Sequence, residues 1–497
     1  MLPLNTILEG KELEELLEKK AKNYENSIID KLSQFDPNKL FYVWRNFIWY
    51  VEEFINIGFE LQDDELNRFA SCRIDYNCVL NGSLNTPIEI VKNKFGFEVV
   101  ERFKKLLMMI SCIKLIYDLH SIDIMNFSTI GDAMEFMQSR RCHYHTLLKL
   151  IPIYAKGEKT LELKDAMNEF QYYVDICMVG ITTAYQRITQ LKCIKGIKGV
   201  VTQIGIEFNK EFSPLEDFFC NPIRLSQLDL IKFTNSPKVQ NPSRQGKLYS
   251  IEELKEMIHN DGVLFSDYGL NQHRHYKMIL KLLDDIIPFF TNEYFIDIAE
   301  NDFIKIQKKY ENLCLGNEYE DYEEIASSVV PFVKCGSYYY SNNYAVLRFM
   351  ENEIYSVLYN IRRYQIKSGF IFEEKVAKVL EKYGFKRDRS VKRIKRKEFD
   401  VVCIKDDCIY NFQCKNNFFN VKDFGSTYIS MLCKSNKRLE SLYERALIKE
   451  EKRESLLIKK IGISKIKHFV VSRFPVFTNN PRIINYNDLE KTISKLR

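Results

Sequence analysis

Apolar residues recur at helical spacing through most of the chain and change to strand spacing near its C-terminal end. In stretches such as 8–32, 40–61 and 97–120, leucines and aromatic residues stand three or four positions apart, on one face of an α-helix. The aromatic density of 40–61 predicts a buried core rather than a surface for stacking bases. The stretch 343–365 predicts a further long helix. The first 364 residues therefore predict a largely helical body, without a motif that reveals its chemistry.

From Ser368 onward the pattern predicts one helix followed by two strands. The apolar face of the helix consists of Phe372, Val376, Val379, Leu380 and Tyr383. Gly384 follows and can adopt the left-handed conformation found after helix ends. The runs 398–404 and 408–415 are short and rich in β-branched and aromatic residues, which predicts a hairpin with its turn at 405–407.

The turn between Asp406 and Asp407 fixes which residues of this hairpin face each other. Asp400 then lies opposite Gln413, with Cβ atoms about 5 Å apart. Because side chains alternate along a strand, Gln413 and Lys415 share one face. Glu373, at the border of the apolar face of the preceding helix, can point toward the same patch.

The residue types on this patch favour a metal site. Carboxylate and amide oxygens around a small cavity suit Mg²⁺ or Mn²⁺. A lysine beside such a site suits an attacking water or the charge that develops on a phosphate.

Taken in order, these residues resemble a known family. Gly369-x-x-Phe-Glu373, Gly384-Phe385, Glu398-Phe-Asp400-Val-Val and Gln413-x-Lys415 are similar to the motifs of the PD-(D/E)xK nuclease superfamily. The form with QxK is typical of restriction-endonuclease-like proteins of the Mrr type. The resemblance covers about the last quarter of the chain and implies one helix, three strands, a second helix and a further strand.

The resemblance also implies a reaction, the metal-dependent hydrolysis of phosphodiester bonds in DNA and less often in RNA. By position, Asp400 is similar to the metal-binding aspartate, Lys415 to the catalytic lysine and Glu373 to the helix acid. Gln413 occupies the place of the usual glutamate. The implied ligands of Mg²⁺ or Mn²⁺ are Asp400, Gln413, Glu373 and the backbone carbonyl of Cys414.

Two features depart from the family pattern, and other interpretations stay open. Phe399 stands where a proline often precedes the aspartate, and Gln413 is a neutral ligand, which weakens the metal site. A D…QxK pattern also arises by chance in hairpins, where the aspartate and lysine are ordinary solvated residues. A nuclease fold can, in addition, serve binding without catalysis.

Charge is distributed unevenly along the chain. Of the 73 Lys and Arg and the 67 Asp and Glu residues, 31 and 16 lie between Gln365 and Arg497, a net charge of +15 in a chain whose total is +6. A basic domain of this kind is expected to bind phosphates. The densest basic run contains the predicted nucleic-acid-binding residues, Lys392, Arg393, Lys395, Arg396 and Lys397. These residues either hold the substrate backbone or belong to a solvated edge strand, where lysine discourages aggregation.

Three other stretches have distinctive composition. Arg140 to His145 contains two histidines that do not share a helix face, and we expect a polar patch at a helix end rather than a metal site. The stretch 273–277 is similar and receives no special role. The stretch 191–211, rich in Gly, Val and Ile, predicts strands.

Length and composition indicate several domains in one chain. We expect a helical N-terminal region at 1–235, a second mainly helical region at 247–365 and the α/β nuclease-like domain at 366–497, with a mixed central sheet flanked by helices. No apolar run reaches the length of a membrane span, no secretion signal begins the chain, and the cysteines lack zinc-site spacing. These features predict a cytoplasmic protein with reduced thiols and no membrane partner.

The expected function is a Mg²⁺-dependent endodeoxyribonuclease. Family analogy places it in restriction or antiviral defence. One alternative is a non-catalytic nucleic-acid-binding protein. Another is an effector whose helical region forms a homodimer or binds a partner protein that activates the nuclease.

Overall fold

The structure, a computed structural model, describes residues 3–122, 125, 127–203, 205–210, 248–315, 322–417, 428–473 and 476–495. Helices dominate the N-terminal half, and a mixed five-stranded sheet lies in the C-terminal region, so this combination of fold classes is confirmed. The described residues form two compact units. One unit combines residues of Met1–Lys19, Thr183–Asn235 and Tyr355–Arg497, and the other combines Lys20–Thr182 and Ser236–Ile354. Each unit thus joins stretches that are distant in sequence.

The elements of the first half are β1 (Ile7–Glu9), α1 (Gly10–Leu32), α2 (Pro37–Glu60), α3 (Asp63–Ala70), α4 (Tyr76–Leu80), α5 (Asn85–Phe95), α6 (Phe97–Leu119), α7 (Ile130–Tyr154), α8 (Ala166–Tyr172), α9 (Val179–Cys193), β2 (Lys198–Val201) and β3 (Ile206–Phe208). A π-helical segment, Tyr173–Met178, joins α8 to α9. The strands predicted in 191–211 are confirmed as β2 and β3.

The second half begins with α10 (Ile251–Leu264), α11 (Arg274–Ile286), β4 (Phe295–Ala299), α12 (Glu300–Gln307), α13 (Tyr322–Ser327), β5 (Val333–Cys335), β6 (Tyr338–Asn342), α14 (Asn343–Leu358) and α15 (Arg362–Lys382). It continues with β7 (Lys386–Arg387), β8 (Arg393–Ile394), β9 (Lys397–Glu398), β10 (Val401–Lys405), β11 (Cys408–Lys415), α16 (Tyr428–Glu451), α17 (Glu454–Ile461), β12 (Ile466–Ser472), β13 (Ile483–Asn485) and α18 (Leu489–Ile493).

The predicted helix 343–365 is two helices, so this prediction is wrong at its C-terminal end. The backbone N–H groups of Asn360 and Ile361 bond to carbonyls three residues earlier, and Ile361 is extended. The tighter turn stops α14, and α15 starts a new helix. Asparagine favours such turns because its side chain competes with helical hydrogen bonds.

The helical unit has an aromatic core centred on α2, as predicted. Trp44, Phe47 and Phe54 are buried, and α2 packs along α7. The same unit contains a three-stranded antiparallel sheet in the order β4-β6-β5.

The five-stranded sheet has the order β13-β12-β11-β10-β7. β10 is antiparallel to β7 and β11, whereas β11, β12 and β13 are parallel. On one face, Phe372 and Leu380 of α15 and Ile493 of α18 pack with Tyr410 and Phe412. The other face is covered by α16 and α17, through residues such as Tyr443, Leu447 and Leu457. The open end of the β10–β11 hairpin, opposite its turn, thus lies between two helical layers.

A second three-stranded sheet, β1-β2-β3, belongs to the same unit. Directly before β2, Ile194 and Ile197 are buried against Leu432 of α16 and Phe477. Residues far away in sequence therefore complete the core of the C-terminal unit.

In the ranges that the structure describes, no helix has the length and apolarity needed to cross a membrane. The cysteines in those ranges are free, and each is buried or half-buried.

Candidate active site at the end of the hairpin

The β10–β11 hairpin has the register that its turn predicts. Val401 pairs with Phe412, and Lys405 pairs with Cys408. Between the strands, Asp406 and Asp407 have φ values of 49° and 52°. Two successive left-handed residues form the tight turn that matches strand twist, and aspartate tolerates this conformation better than most residues.

Asp400 lies directly before β10 and is bound to the end of β11. Its Oδ2 accepts hydrogen bonds from the side-chain amide of Gln413 and from the backbone N–H of Cys414, the latter at 2.8 Å. Burial raises the pKa of Asp400, while the nearby Lys415 ammonium and the two hydrogen bonds oppose this shift. Both bonds go to Oδ2, so no donor among the described residues bonds Oδ1.

Glu373 of α15 reaches the same place from the other side. Its side chain is 13% exposed, and its carboxylate lies 3.4 Å from Nζ of Lys392. Burial, assisted by the negative charge of Asp400, raises its pKa to about 7, although Lys392 lowers it. Two carboxylates in a poorly solvated place repel each other, which favours a proton or a cation beside them.

Lys415 ends β11 and is half-buried. Burial lowers the pKa of its ammonium, while the carboxylates of Asp400 and Glu450 raise it. The structure therefore brings Asp400, Glu373, Gln413 and Lys415 together, as the sequence predicts.

Gln413 has an orientation that the sequence does not reveal. Its amide nitrogen faces Asp400, and its oxygen lies 3.5 Å from Nη2 of Arg453 in the loop between α16 and α17. To bind a metal next to Asp400 through oxygen, the amide must rotate by about 180°. The role of Gln413 as a ligand stays a prediction, as does that of the Cys414 carbonyl.

A buried polar network under α16 supports this end of the hairpin, and sequence reasoning missed it. Glu450 forms an ion pair with Arg453 and accepts a hydrogen bond of 2.9 Å from Asn411. Asn411 also lies 3.2 Å from Nδ1 of His468. The available signal was the alternation that places Asn411 on the same face as Gln413.

The basic run forms its own hairpin, β8–β9, whereas the edge of the five-stranded sheet is β7. In the basic run 386–397, the interpretation as an edge strand thus holds for Lys386–Arg387, which form β7, but not for the later residues, where the chain turns back at Lys395 and Arg396. Both turn residues are left-handed, with φ values of 46° and 63°. Lys392 pairs with Glu373, but none of the other four cations has a carboxylate partner in the described part of the chain; these are Arg393, Lys395, Arg396 and Lys397.

A cleft with a cavity volume of about 230 Å³ lies beside Asp400. Its lining consists of Glu374, Arg387, Asp388, Arg389, Lys392, Phe399, Asp400 and Val402. Arg387 is bound to Glu374 at 2.7 Å, and Arg389 lies 3.7 Å from the same carboxylate. The cleft thus leads along basic side chains to Asp400.

Among the described residues, no three or more His, Cys, Asp or Glu side chains form a group that could hold a metal ion. The predicted ligand set contains two carboxylates, one amide and one carbonyl, so it would not form such a cluster.

The cluster from Arg140 to His145 is not a patch at a helix end, and that prediction is wrong. It lies within α7, where Arg140 is bound to Asp175 at 2.8 Å. Arg141 and His145 both bind Glu52 of α2. In the other stretch, His273 caps the N-terminus of α11, and His275 lies 2.6 Å from Glu353.

Comparison of the chain with protein-family models, with curated proteins and with solved structures finds no match.

Proposed function

We propose that the C-terminal unit is a metal-dependent endonuclease that hydrolyses phosphodiester bonds in DNA. The observation that supports this most is the convergence of Asp400, Glu373 and Lys415, with Asp400 in the wall of a cleft that Arg387, Arg389 and Lys392 also line. Two carboxylates and an ammonium beside cations that can attract phosphate suit the cleavage of a phosphodiester.

The residues present fit a hard divalent cation. Oδ1 of Asp400 receives no hydrogen bond from a described residue, and burial together with the negative charge of Asp400 raises the pKa of Glu373. Mg²⁺ or Mn²⁺ would be held by these two carboxylates, with the Gln413 amide and the Cys414 carbonyl as neutral ligands. When bound, the ion polarises a phosphate oxygen and lowers the pKa of a bound water.

The other groups of the site would position the substrate and neutralise the negative charge of its phosphates. The half-buried ammonium of Lys415 can donate to an oxygen of the scissile phosphate, where low solvation strengthens the attraction. The cations of β8–β9 and of the cleft wall would hold neighbouring phosphates without reading sequence.

The order of elements also supports the proposal. Apart from the inserted β8–β9 hairpin and helix α17, the elements α15, β7, β10, β11, α16 and β12 give one helix, three strands, a helix and a strand. The PD-(D/E)xK resemblance implies this order. Antiviral or restriction defence would then be the biological setting, by analogy with that family.

The test is incubation of the purified chain with supercoiled plasmid in Mg²⁺, Mn²⁺ or EDTA. We expect nicking or linearisation that requires metal and is lost in Asp400→Ala and Lys415→Ala. Asp406→Ala is the matched control, since it removes a carboxylate from the turn of the same hairpin, and it should cleave like the wild type. Full activity in Asp400→Ala would contradict the proposal. Incubation with an RNA substrate under the same conditions shows whether the chain cleaves DNA or RNA.

A second candidate, a non-catalytic nucleic-acid-binding protein, is favoured by the neutral Gln413 at the place of an acid. It predicts that labelled DNA binds equally well in EDTA and in Mg²⁺ and is never cleaved. A third, an effector activated by a partner protein, predicts an inactive purified chain that cleaves after cell extract from infected hosts is added.

A further inference from the structure

A buried row of polar residues lies between α2 and α7 in the helical unit. Arg141, His145 and Lys149 stand four residues apart on one face of α7. Arg45 and Glu52 stand seven apart on α2, which packs against that face. No residue of this row takes part in the proposed nuclease site, and the row belongs to the other compact unit.

Some of these charges are matched within the row and beside it. Glu52 binds the guanidinium of Arg141 at 2.8 Å and a ring nitrogen of His145 at 2.9 Å. Arg45 binds Asp297 of β4 at 2.8 Å through Nη2 and lies over the ring of Phe295. These pairs compensate the negative charges of Glu52 and Asp297.

Two side chains of the row have a hydrogen-bond donor without an acceptor, and each of these side chains is more than nine-tenths buried. Lys149 is 8% exposed, and its Nζ donates to the backbone carbonyls of Ser328 at 2.6 Å and Ile325 at 3.4 Å. Among the described residues no carboxylate pairs with it. Arg45 is 5% exposed, and its Nη1 has no acceptor. A buried ammonium has three protons to donate, so one proton of Lys149 is also left over.

Arg45 and Lys149 both line the same cavity, of about 30 Å³. Apolar groups form much of its remaining wall, among them Phe41, Leu148 and Val330. Space of this size admits about two oxygen atoms of a ligand. An uncompensated buried cation is costly, and an anion between two charged donors removes that cost.

We propose that this cavity binds a small oxyanion, a carboxylate or phosphate group, through Nη1 of Arg45 and Nζ of Lys149. The oxygen atoms of the anion accept charge-assisted hydrogen bonds from both donors. The site gives the helical unit a ligand of its own. It does not depend on the nuclease, because none of its residues belongs to the C-terminal unit.

The experiment is calorimetric titration of the full chain, in a buffer free of other oxyanions, with sodium phosphate and with sodium acetate. Sodium chloride at equal ionic strength is the reference. We expect saturable binding of one oxyanion per chain and at least tenfold weaker binding in Lys149→Met, which keeps an unbranched side chain but removes the ammonium. Lys105→Met, on the exposed face of α6, is the matched control and should bind like the wild type.

Arg45→Lys provides a second variant if Lys149→Met does not fold. It keeps a cation for Asp297 but removes the second guanidinium nitrogen, so binding should again weaken at least tenfold. Preference between phosphate and acetate identifies the group. The proposal is overturned if the wild type binds neither anion, if chloride is equally effective, or if both variants bind like the wild type.

Discussion

At the residue scale, burial disfavours the charged form of three side chains that meet at the open end of the β10–β11 hairpin. The pKa values of Asp400 and Glu373 are raised and that of Lys415 is lowered, each because burial disfavours the charged form. Because water solvates these groups poorly, a ligand of opposite charge would stabilise the charged form of each group. Perturbed pKa values of this kind concentrate at functional sites.

The raised pKa of Glu373 predicts the stability of one variant. Its pKa rises on folding from 4.5 to about 7. Its contribution to stability is therefore complete below about pH 4.5 and is lost as the pH rises through about 7. Glu373→Gln should raise the free energy of unfolding by about 1–3 kcal/mol at pH 8, with a gain that shrinks toward pH 4.5. Urea unfolding at both pH values measures this difference.

The neighbouring Glu374 is the control, because its pKa is lowered by Arg387 and Arg389 against the effect of burial. Glu374→Gln should lower stability at pH 8, the opposite direction. An equal gain for Glu373→Gln at both pH values would show that ionisation is not the cause.

The same carboxylate couples metal binding to pH, provided that the proposed function holds. At pH 7 a fraction of Glu373 carries a proton, and a cation beside Asp400 displaces it. We expect Mn²⁺ affinity to rise with pH through about 7, with proton release on binding. Calorimetry in buffers of different ionisation enthalpy detects the proton, and Asp400→Asn should abolish the signal. Binding with no proton release would argue against Glu373 as a ligand.

At the element scale, two hairpins of the C-terminal unit use the same kind of turn with different residues. Asp406 and Asp407 form one turn, whereas Lys395 and Arg396 form the other, all with positive φ. Long side chains adopt this conformation at a cost of about 1 kcal/mol each. The basic hairpin thus gives up stability to present two cations at its tip.

Replacing Lys395-Arg396 with Asn-Gly should separate these two effects. The turn becomes more favourable, so stability should rise by about 1–2 kcal/mol, whereas DNA affinity should fall. The slope of log affinity against log salt should decrease in size by about 2, since two phosphate contacts are lost. Thermal unfolding and fluorescence anisotropy measure the two quantities.

The matched control is Asn-Gly in place of Asp406-Asp407, which changes a turn of the same type without removing a cation. It should stabilise the chain and leave the salt slope unchanged. An unaltered slope in the Lys395-Arg396 variant would exclude that tip as a phosphate contact.

At the scale of the whole molecule, the C-terminal unit includes residues from the beginning and the middle of the chain. Ile194 and Ile197 pack on Leu432 and Phe477, and Lys210 donates to Asn479 at 2.5 Å. The basic C-terminal segment therefore shares its core with the segment around β2. This sharing makes the unit sensitive to changes nearly three hundred residues away in sequence.

Ile197→Ala should destabilise the C-terminal unit by about 2–4 kcal/mol, because it leaves a cavity against Leu432 and Phe477. Hydrogen exchange of the amides in α16 should accelerate in this variant. Val263→Ala, at an exposed position of α10, should stay within about 0.5 kcal/mol of the wild type. Unchanged exchange in α16 would show that the two segments do not share one cooperative core.

Features that depend on short-range rules could be predicted from the order of residues alone. The period of two along a strand and a turn at Asp406-Asp407 were sufficient to place Asp400 opposite Gln413. The apolar face of α15, with Glu373 at its border, followed from the period of 3.6. These features depend on backbone geometry over a few residues, so they can be predicted without knowledge of the fold.

Contacts between distant residues could not be predicted in this way, because they depend on how the elements pack. Glu450 and Arg453 come to the site because α16 packs across the sheet, and Glu52 meets Arg141 because α2 packs along α7. The apolar periodicity of a helix shows which face is buried but not which neighbour buries it. The polar network behind Gln413 and the cavity at Lys149 depend on that choice of neighbours, which the packing of the whole core determines.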